Sequence, residues 1–253
     1  MELLAPAGSH EAMIAAVEAG ANAVYLGGKL FGARHYASNF SLEELKEVVD
    51  YCHLRNVAVY ITVNTLVFDD ELEPLKAYLI GLESIQVDAI IVQDLGVAKI
   101  AREVAPRLDL HGSTQMSIHN AKGAQALKEF GFSRVVLARE LSLKEIEMIC
   151  KQVEIEIEVF VHGALCISYS GQCLMSSMIG GRSGNRGKCA QPCRLPYQLE
   201  KNGEILDISF GSYLLSPRDL NFIEYLPDLA NSGVVSLKIE GRMKSPEYVG
   251  TVI

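Results

Sequence analysis

The stretch Ser41-Leu-Glu-Glu-Leu-Lys-Glu-Val-Val-Asp-Tyr-Cys52, followed after a short link by Ala58-Val-Tyr-Ile-Thr-Val-Asn64, sets a helix before a strand. Ser41 and Glu44 have the spacing of a capping box, with Phe40 and Leu45 placed as its hydrophobic staple. Leu45, Val48, Val49 and Cys52 then recur at helical spacing, so one face of that helix is apolar. The run Ala58–Asn64 is apolar almost throughout and closes on a polar residue, the pattern of a strand covered on both faces.

Outward from this unit the same arrangement repeats. Further apolar runs lie at Leu3–Gly8, Ala23–Gly28, Ala89–Asp94, Asp109–Gln115, Arg134–Arg139, Ile157–Gly163 and Val234–Gly241. Helical patterns separate most of them, and Ser142 with Glu145, flanked by Leu141 and Ile146, forms a second capping box. Strand then helix, eight times over, predicts a parallel (β/α)8 barrel of the TIM type. An open doubly wound sheet is the competing architecture, but no Gly-rich dinucleotide fingerprint follows the first strand. Near the end, Ser245 and Pro246 read as N-cap and first helical residue, and Tyr248, Val249, Val252 and Ile253 begin an apolar face. The expectation is one barrel domain over residues 1–253 with its last helix truncated and a further C-terminal region beyond it.

The bulk properties suit an enzyme of this kind. The chain has 253 residues, 49% hydrophobic and 21% charged, with a net charge of −8. That charge argues against a general nucleic-acid coat while leaving room for a local basic patch. No apolar run reaches the roughly 20 residues of a membrane helix, and the N-terminus lacks the basic and apolar regions of a signal peptide, so no membrane association and a cytoplasmic location are expected.

One connection breaks the rhythm. Residues 164–218, between the seventh strand and a helix expected near Asp219–Ala230, far exceed an ordinary βα loop. Within them Gln198–Glu200 and Glu204–Ile208 flank Lys201-Asn202-Gly203, which reads as a hairpin turning at Asn-Gly. The same insert carries Cys166, Cys173, Cys189 and Cys193. Four thiols in one loop of a cytoplasmic chain point to metal before disulfide, and the intervening glycines let the chain wrap around it. The C-x6-C-x15-C-x3-C spacing leaves zinc and an iron–sulfur cluster both open, since it matches neither paired zinc knuckles nor a tight ferredoxin run. Cys52 and Cys150 fall on apolar helix faces and read as core.

From Val159 to Leu199 there is no acidic residue, while Arg182, Arg186, Lys188 and Arg194 supply four cations. They are candidates to hold RNA phosphate, or to offset the negative charge of thiolates around a metal. Tyr169 and Tyr197 are candidates to stack on a base. At the C-terminal strand ends, Arg139, Lys238 and Arg242 are candidates to grip a small dicarboxylate, with ion pairs to Glu140 and Glu240 as the structural alternative. His162 and Glu140 are the candidates for proton transfer. Neither H-E-x-x-H nor G-x-S-x-G is present, so no zinc-protease pair or serine elbow supports proteolysis.

The segment Glu158-Val-Phe-Val-His162-Gly-Ala-Leu-Cys166, with Gly171-Gln-Cys173-Leu-Met175-Ser176 after it, resembles the signature of peptidase family U32, the collagenase-like group. The likeness extends to Leu4-Ala-Pro-Ala-Gly8, Ala23-Val-Tyr-Leu-Gly-Gly28, Gln93-Asp-Leu-Gly96 and Lys238-Ile-Glu-Gly-Arg242. It implies a [4Fe-4S] cluster on the four insert cysteines, favouring iron–sulfur over zinc. It also implies oxidative modification: hydroxylation of a pyrimidine in tRNA or 23S rRNA with prephenate required, or of ubiquinone precursors in other members. A U32 peptidase hydrolysing peptide bonds and a metal-stabilised binding module are the alternative functions.

Overall fold

The computed structural model describes residues 1–207 and 211–253. Seven barrel strands come in order: β1 (Glu2–Pro6), β2 (Ala23–Gly27), β3 (Ala58–Val63), β4 (Ala89–Val92), β5 (Asp109–Gly112), β6 (Arg134–Val136) and β7 (Glu156–Gly163). The eighth barrel strand, Ser236–Ile239, pairs in parallel with both β7 and β1, and β6 pairs with β7, so the ring of eight parallel strands is closed. All eight apolar runs contain strands, and all but the seventh stop one to three residues short of the expected C-terminal end, where the mouth begins. Both capping boxes form, with Ser41 starting the helix Leu42–His53 and Ser142 starting the helix Leu143–Cys150.

Helices pack around the ring, and the larger core lies between them and the outward faces of the strands, with Val24, Leu26, Val59, Ile61, Ile90 and Leu110 all enclosed. A smaller cluster of Leu4, Tyr25, Tyr60 and Ile91 fills the interior. The seventh and eighth strands alternate more than their sequences suggested. Glu158 and Lys238 are buried polar residues, while their neighbours Ile157, Val159, Leu237 and Ile239 join the outer core. The interior is therefore partly ionic: Lys238 lies 2.8 Å from Glu158, and Arg134 contacts Glu2, Glu156 and Glu158. Tyr60 donates to Glu2 at 2.6 Å, and Ser236 donates to Glu2 at 2.8 Å and Glu158 at 3.2 Å. Charges shut away from water need this degree of pairing, because their desolvation costs several kcal/mol per ion.

The segment after β7 departs from expectation near its end. Residues 219–225 do not start a helix: Leu220–Asn221 pairs antiparallel with Gly163 and His162 at the end of β7, a 3-10 turn follows at Ile223–Tyr225, and the helix is Leu226–Ser232. Pro227 at the start of that helix explains the late beginning. The hairpin forms at the Asn-Gly turn, with Glu200–Lys201 against Glu204–Ile205 and positive φ at Asn202 and Gly203. Ile208, the far end of that expected hairpin, lies outside the described residues.

The insert sits against the C-terminal mouth through close backbone contacts. Leu66 N–H donates to the Asn185 carbonyl at 3.2 Å, and His35 N–H to that of Gly187 at 3.1 Å. Gly171 has φ +75°, and a Cβ there would come within 2.1 Å of the Gln115 carbonyl oxygen, so only glycine lets the loop lie so close to the end of β5.

Candidate metal centre and barrel mouth

Cys166 and Cys173 stand on the loop leaving β7, on either side of Gly171, while Cys189 follows a short helix, Met175–Gly180, and a 3-10 turn at Gly184–Arg186, and Cys193 lies in a second turn at Pro192–Arg194. Cys189 is exposed and the other three are half-buried. Burial pushes the Cys173 thiol up, and the neighbouring Cys166 and Cys189 sulfurs add to the effect. Burial likewise raises Cys193, again with Cys166 and Cys189 contributing. The thiols are therefore electrostatic neighbours. Among the described residues no three His, Cys, Asp or Glu side chains are disposed as ligands around one point. The donor types still fit a soft metal or cluster, since four cysteines share one Gly-rich segment with no carboxylate in it. As placed they form a neighbourhood, not a closed coordination shell. Cys52 is fully buried with its thiol pushed up to about 12 by desolvation, as suits a core residue, and Cys150 is half-buried and raised to about 11 for the same reason.

Cys166 and Cys173 also line a cavity of about 540 Å³ with Glu140, Ile167, Ser168, Tyr169, Leu174 and Met175. Glu140 is fixed by Ser170, whose N–H and hydroxyl both donate to Oε1 at 2.9 Å. Its Oε2 is 3.2 Å from Nε2 of His119. His119 was not among the residues singled out for proton transfer. It follows Ser117, whose left-handed conformation (φ 57°) turns the loop after β5 toward β6, and only the fold brings it to Glu140. His162, the other candidate, instead places Nδ1 3.0 Å from the Tyr248 hydroxyl.

At the centre of the mouth, Glu240 accepts from Arg34 at 3.0 Å. Burial alone would raise the Glu240 carboxyl, but Arg34, Arg139 and Arg242 outweigh it and hold the group below its usual range. Arg242 is buried, donating to Thr62 Oγ1 at 2.9 Å and to the Ala33 carbonyl, and desolvation followed by the charge of Arg34 lowers it to about 10. Arg139 donates to the Ala164 carbonyl at 3.0 Å, while its buried Nε has no partner. Lys238 does not reach this group as an open cation: its ammonium is bound to Glu158 within the barrel, and desolvation lowers its pKa. Arg34, absent from the proposed grip, is present in it.

The basic island divides in two. Arg186 forms a two-pronged pair with Glu71 at 2.7 Å for each contact and also donates to the Leu66 carbonyl at 2.7 Å. Arg194 donates to Ser216, to the Pro217 carbonyl and, at 2.7 Å, to the Leu165 carbonyl. Arg186 thus ties the insert to the loop after β3, and Arg194 holds the two ends of the insert together. Arg182 and Lys188 remain exposed, Arg182 lying over the Tyr36 ring at 4.9 Å. Tyr197 is tied by its hydroxyl to the Pro192 carbonyl at 3.0 Å, whereas Tyr169 is 63% exposed beside the cavity.

No helix among the described residues is long and apolar enough to cross a membrane. The chain is 44% identical over 257 residues to tRNA hydroxylation protein P1 of Bacillus subtilis (strain 168), covering 100% of this chain and 61% of that protein. It is 44% identical over 252 residues to the 23S rRNA 5-hydroxycytidine C2501 synthase of Escherichia coli (strain K12), covering 100% of this chain and 38% of that protein. The chain thus spans less than two thirds of each relative. The solved structure of the U32 peptidase Mk0906 superposes with a TM-score of 0.60 at 12% identity, covering 95% of this chain and 93% of that one, a likeness of fold alone. The model of Peptidase family U32 matches residues 8–253, and with the barrel, the insert and these relatives in agreement, the chain belongs to that family.

Proposed function

We propose that this chain is the cluster-bearing barrel of a protein that hydroxylates a pyrimidine in tRNA or rRNA. The observation that carries the reading is the 44% identity along the whole chain to two relatives that are both named for RNA hydroxylation. The four insert cysteines support it as ligands of a [4Fe-4S] cluster, with zinc as the competing metal. When bound, such a cluster supplies one-electron redox chemistry. The rest of the site is then read from the chain's own residues. Exposed Arg182 and Lys188 are placed to meet RNA phosphate, and Arg186 and Arg194 keep the insert in shape behind them.

Arg34, Arg139 and Arg242 surround the single carboxylate of Glu240, which leaves cationic charge uncompensated in a poorly solvated place. That arrangement suits a small dicarboxylate, and prephenate is the co-substrate we assign to it. Arg139, with its buried Nε lacking a partner, is the donor best placed to take a carboxylate oxygen.

The reading is tested in a strain lacking the full-length protein and its redundant relatives. One hydroxylated pyrimidine should disappear from tRNA or rRNA, return with the wild-type protein, and stay absent with any of the four Cys→Ser variants. Normal hydroxylation in that strain refutes the proposal. Peptide cleavage by iron-free protein would favour the hydrolase instead.

A further inference from the structure

Tyr169 and Glu140 line the cavity beside Cys166 and Cys173, and His119 touches both of them. The Tyr169 ring is largely exposed, with its centroid 5.7 Å from the His119 ring at a tilt of 60°. A large aromatic face left to solvent at a concave site is an unfilled stacking surface. His119 places Nδ1 2.6 Å from the Ser117 carbonyl, and a carbonyl only accepts, so that nitrogen carries the hydrogen. Nε2 of the same ring lies 3.2 Å from Glu140 Oε2. Ser170 holds Glu140 Oε1 by two hydrogen bonds, so the carboxylate is fixed at the cavity wall.

We propose that this wall binds a single unstacked pyrimidine of RNA, its ring lying on Tyr169 and its N–H edge donating to the Glu140 carboxylate. The donor is N3–H of uracil or the N4 amino group of cytosine. The inference rests on the RNA reading above and adds to it the residues that receive the base. Tyr169 and Glu140 share this cavity with Cys166 and Cys173, so a base held on them lies next to the metal site. A base must leave its stack before any reaction on its ring, and an aromatic platform with one fixed acceptor offsets that cost. His119 is a positioning residue here, holding Glu140 Oε2 and the Tyr169 ring in register.

The test uses metal-reconstituted protein and fluorescein-labelled hexamers of uridylate, of 3-methyluridylate and of abasic ribose phosphate, with bulk tRNA as reference, read by fluorescence anisotropy. Tyr169→Ala should weaken oligouridylate binding by about five- to a hundredfold, the range of one base–aromatic stack, and leave the abasic hexamer unchanged. Tyr169→Phe should bind as wild type. The 3-methyl hexamer, lacking the N3–H donor, should bind wild type at least about fivefold more weakly than oligouridylate, and Glu140→Ala should erase that difference. If wild type holds tRNA but Tyr169→Ala holds oligouridylate just as tightly, the pocket is wrong and the RNA reading stands. If wild type holds neither tRNA nor any oligomer, the RNA reading fails and takes the pocket with it.

Discussion

Lys238 and Glu158 form an ion pair of 2.8 Å inside the barrel, both side chains almost wholly shut from solvent. Removing one partner of a buried pair typically costs about 3–5 kcal/mol, and here Arg134, 3.3 Å from Glu158, offsets part of that loss. Lys238→Ala should therefore lower the urea midpoint sharply, and the double variant Lys238→Met/Glu158→Gln should recover much of the loss. A Lys238→Ala protein of normal stability that has lost only substrate affinity would restore this lysine to the mouth.

Each of Cys166, Cys173, Cys189 and Cys193, replaced singly by Ser, should abolish iron binding. Far-ultraviolet circular dichroism should remain that of the wild type, because the core between helices and strands does not include these residues. Cys52→Ser should do the reverse, retaining iron and losing stability, since it buries a hydroxyl at a fully enclosed position. Iron and sulfide analysis after anaerobic purification separates the two outcomes. Stoichiometric zinc without sulfide would replace the cluster assignment.

Gly171→Ala introduces a Cβ 2.1 Å from the Gln115 carbonyl oxygen in a backbone of φ +75°. The loop must lift from the end of β5, carrying Cys173 with it. We expect iron content to fall while the barrel's thermal transition moves little. The conservative Ser168→Ala change on the same loop should leave both intact.

Glu71 is held down to about 2, mainly by hydrogen bonds from Arg186 and from the Phe68 N–H. A carboxyl of pKa about 4.3 in the unfolded chain that drops on folding stabilises fully above that value and loses the contribution as the pH falls toward 2. Wild-type stability, followed by urea denaturation, should therefore decline more steeply between pH 4.5 and 2.5 than that of Glu71→Gln. The same substitution should hasten proteolysis near Gly184–Arg186 at neutral pH, because Arg186 loses its two-pronged partner. Parallel pH profiles for the two proteins would contradict this.

The strands and the two capping boxes were legible in the sequence because each rests on residues close together in the chain, such as Ser41 with Glu44. Glu158 and Lys238 were harder. A charged residue in an apolar run reads as a strand end or a surface position, and only ring closure reveals that the two meet across 80 residues. Glu240 was expected to pair with a cation at the mouth, but its partner was not readable, since Arg34 lies 206 residues away, and His119 meets Glu140 only because adjacent strands end side by side. The late start of the helix at Leu226 was readable from Pro227. The pairing of Leu220–Asn221 with β7 was not, since two residues show no period.

Ring closure pairs Glu2 with Ser236, so the first strand waits for nearly the whole chain before its outer edge is satisfied. During synthesis the exposed edges of β1 and β7 are templates for pairing with another chain. The insert emerges before the closing strand does, and its Leu220–Asn221 pairing covers the C-terminal end of β7 in the finished protein. Vectorial folding therefore presents the four thiols while the ring is still open, and a cluster acquired then would be built into the lid before the barrel beneath it shuts. Chains starved of metal at that moment should partition toward aggregates through their unpaired edges, even though the sequence of the barrel itself is unaltered.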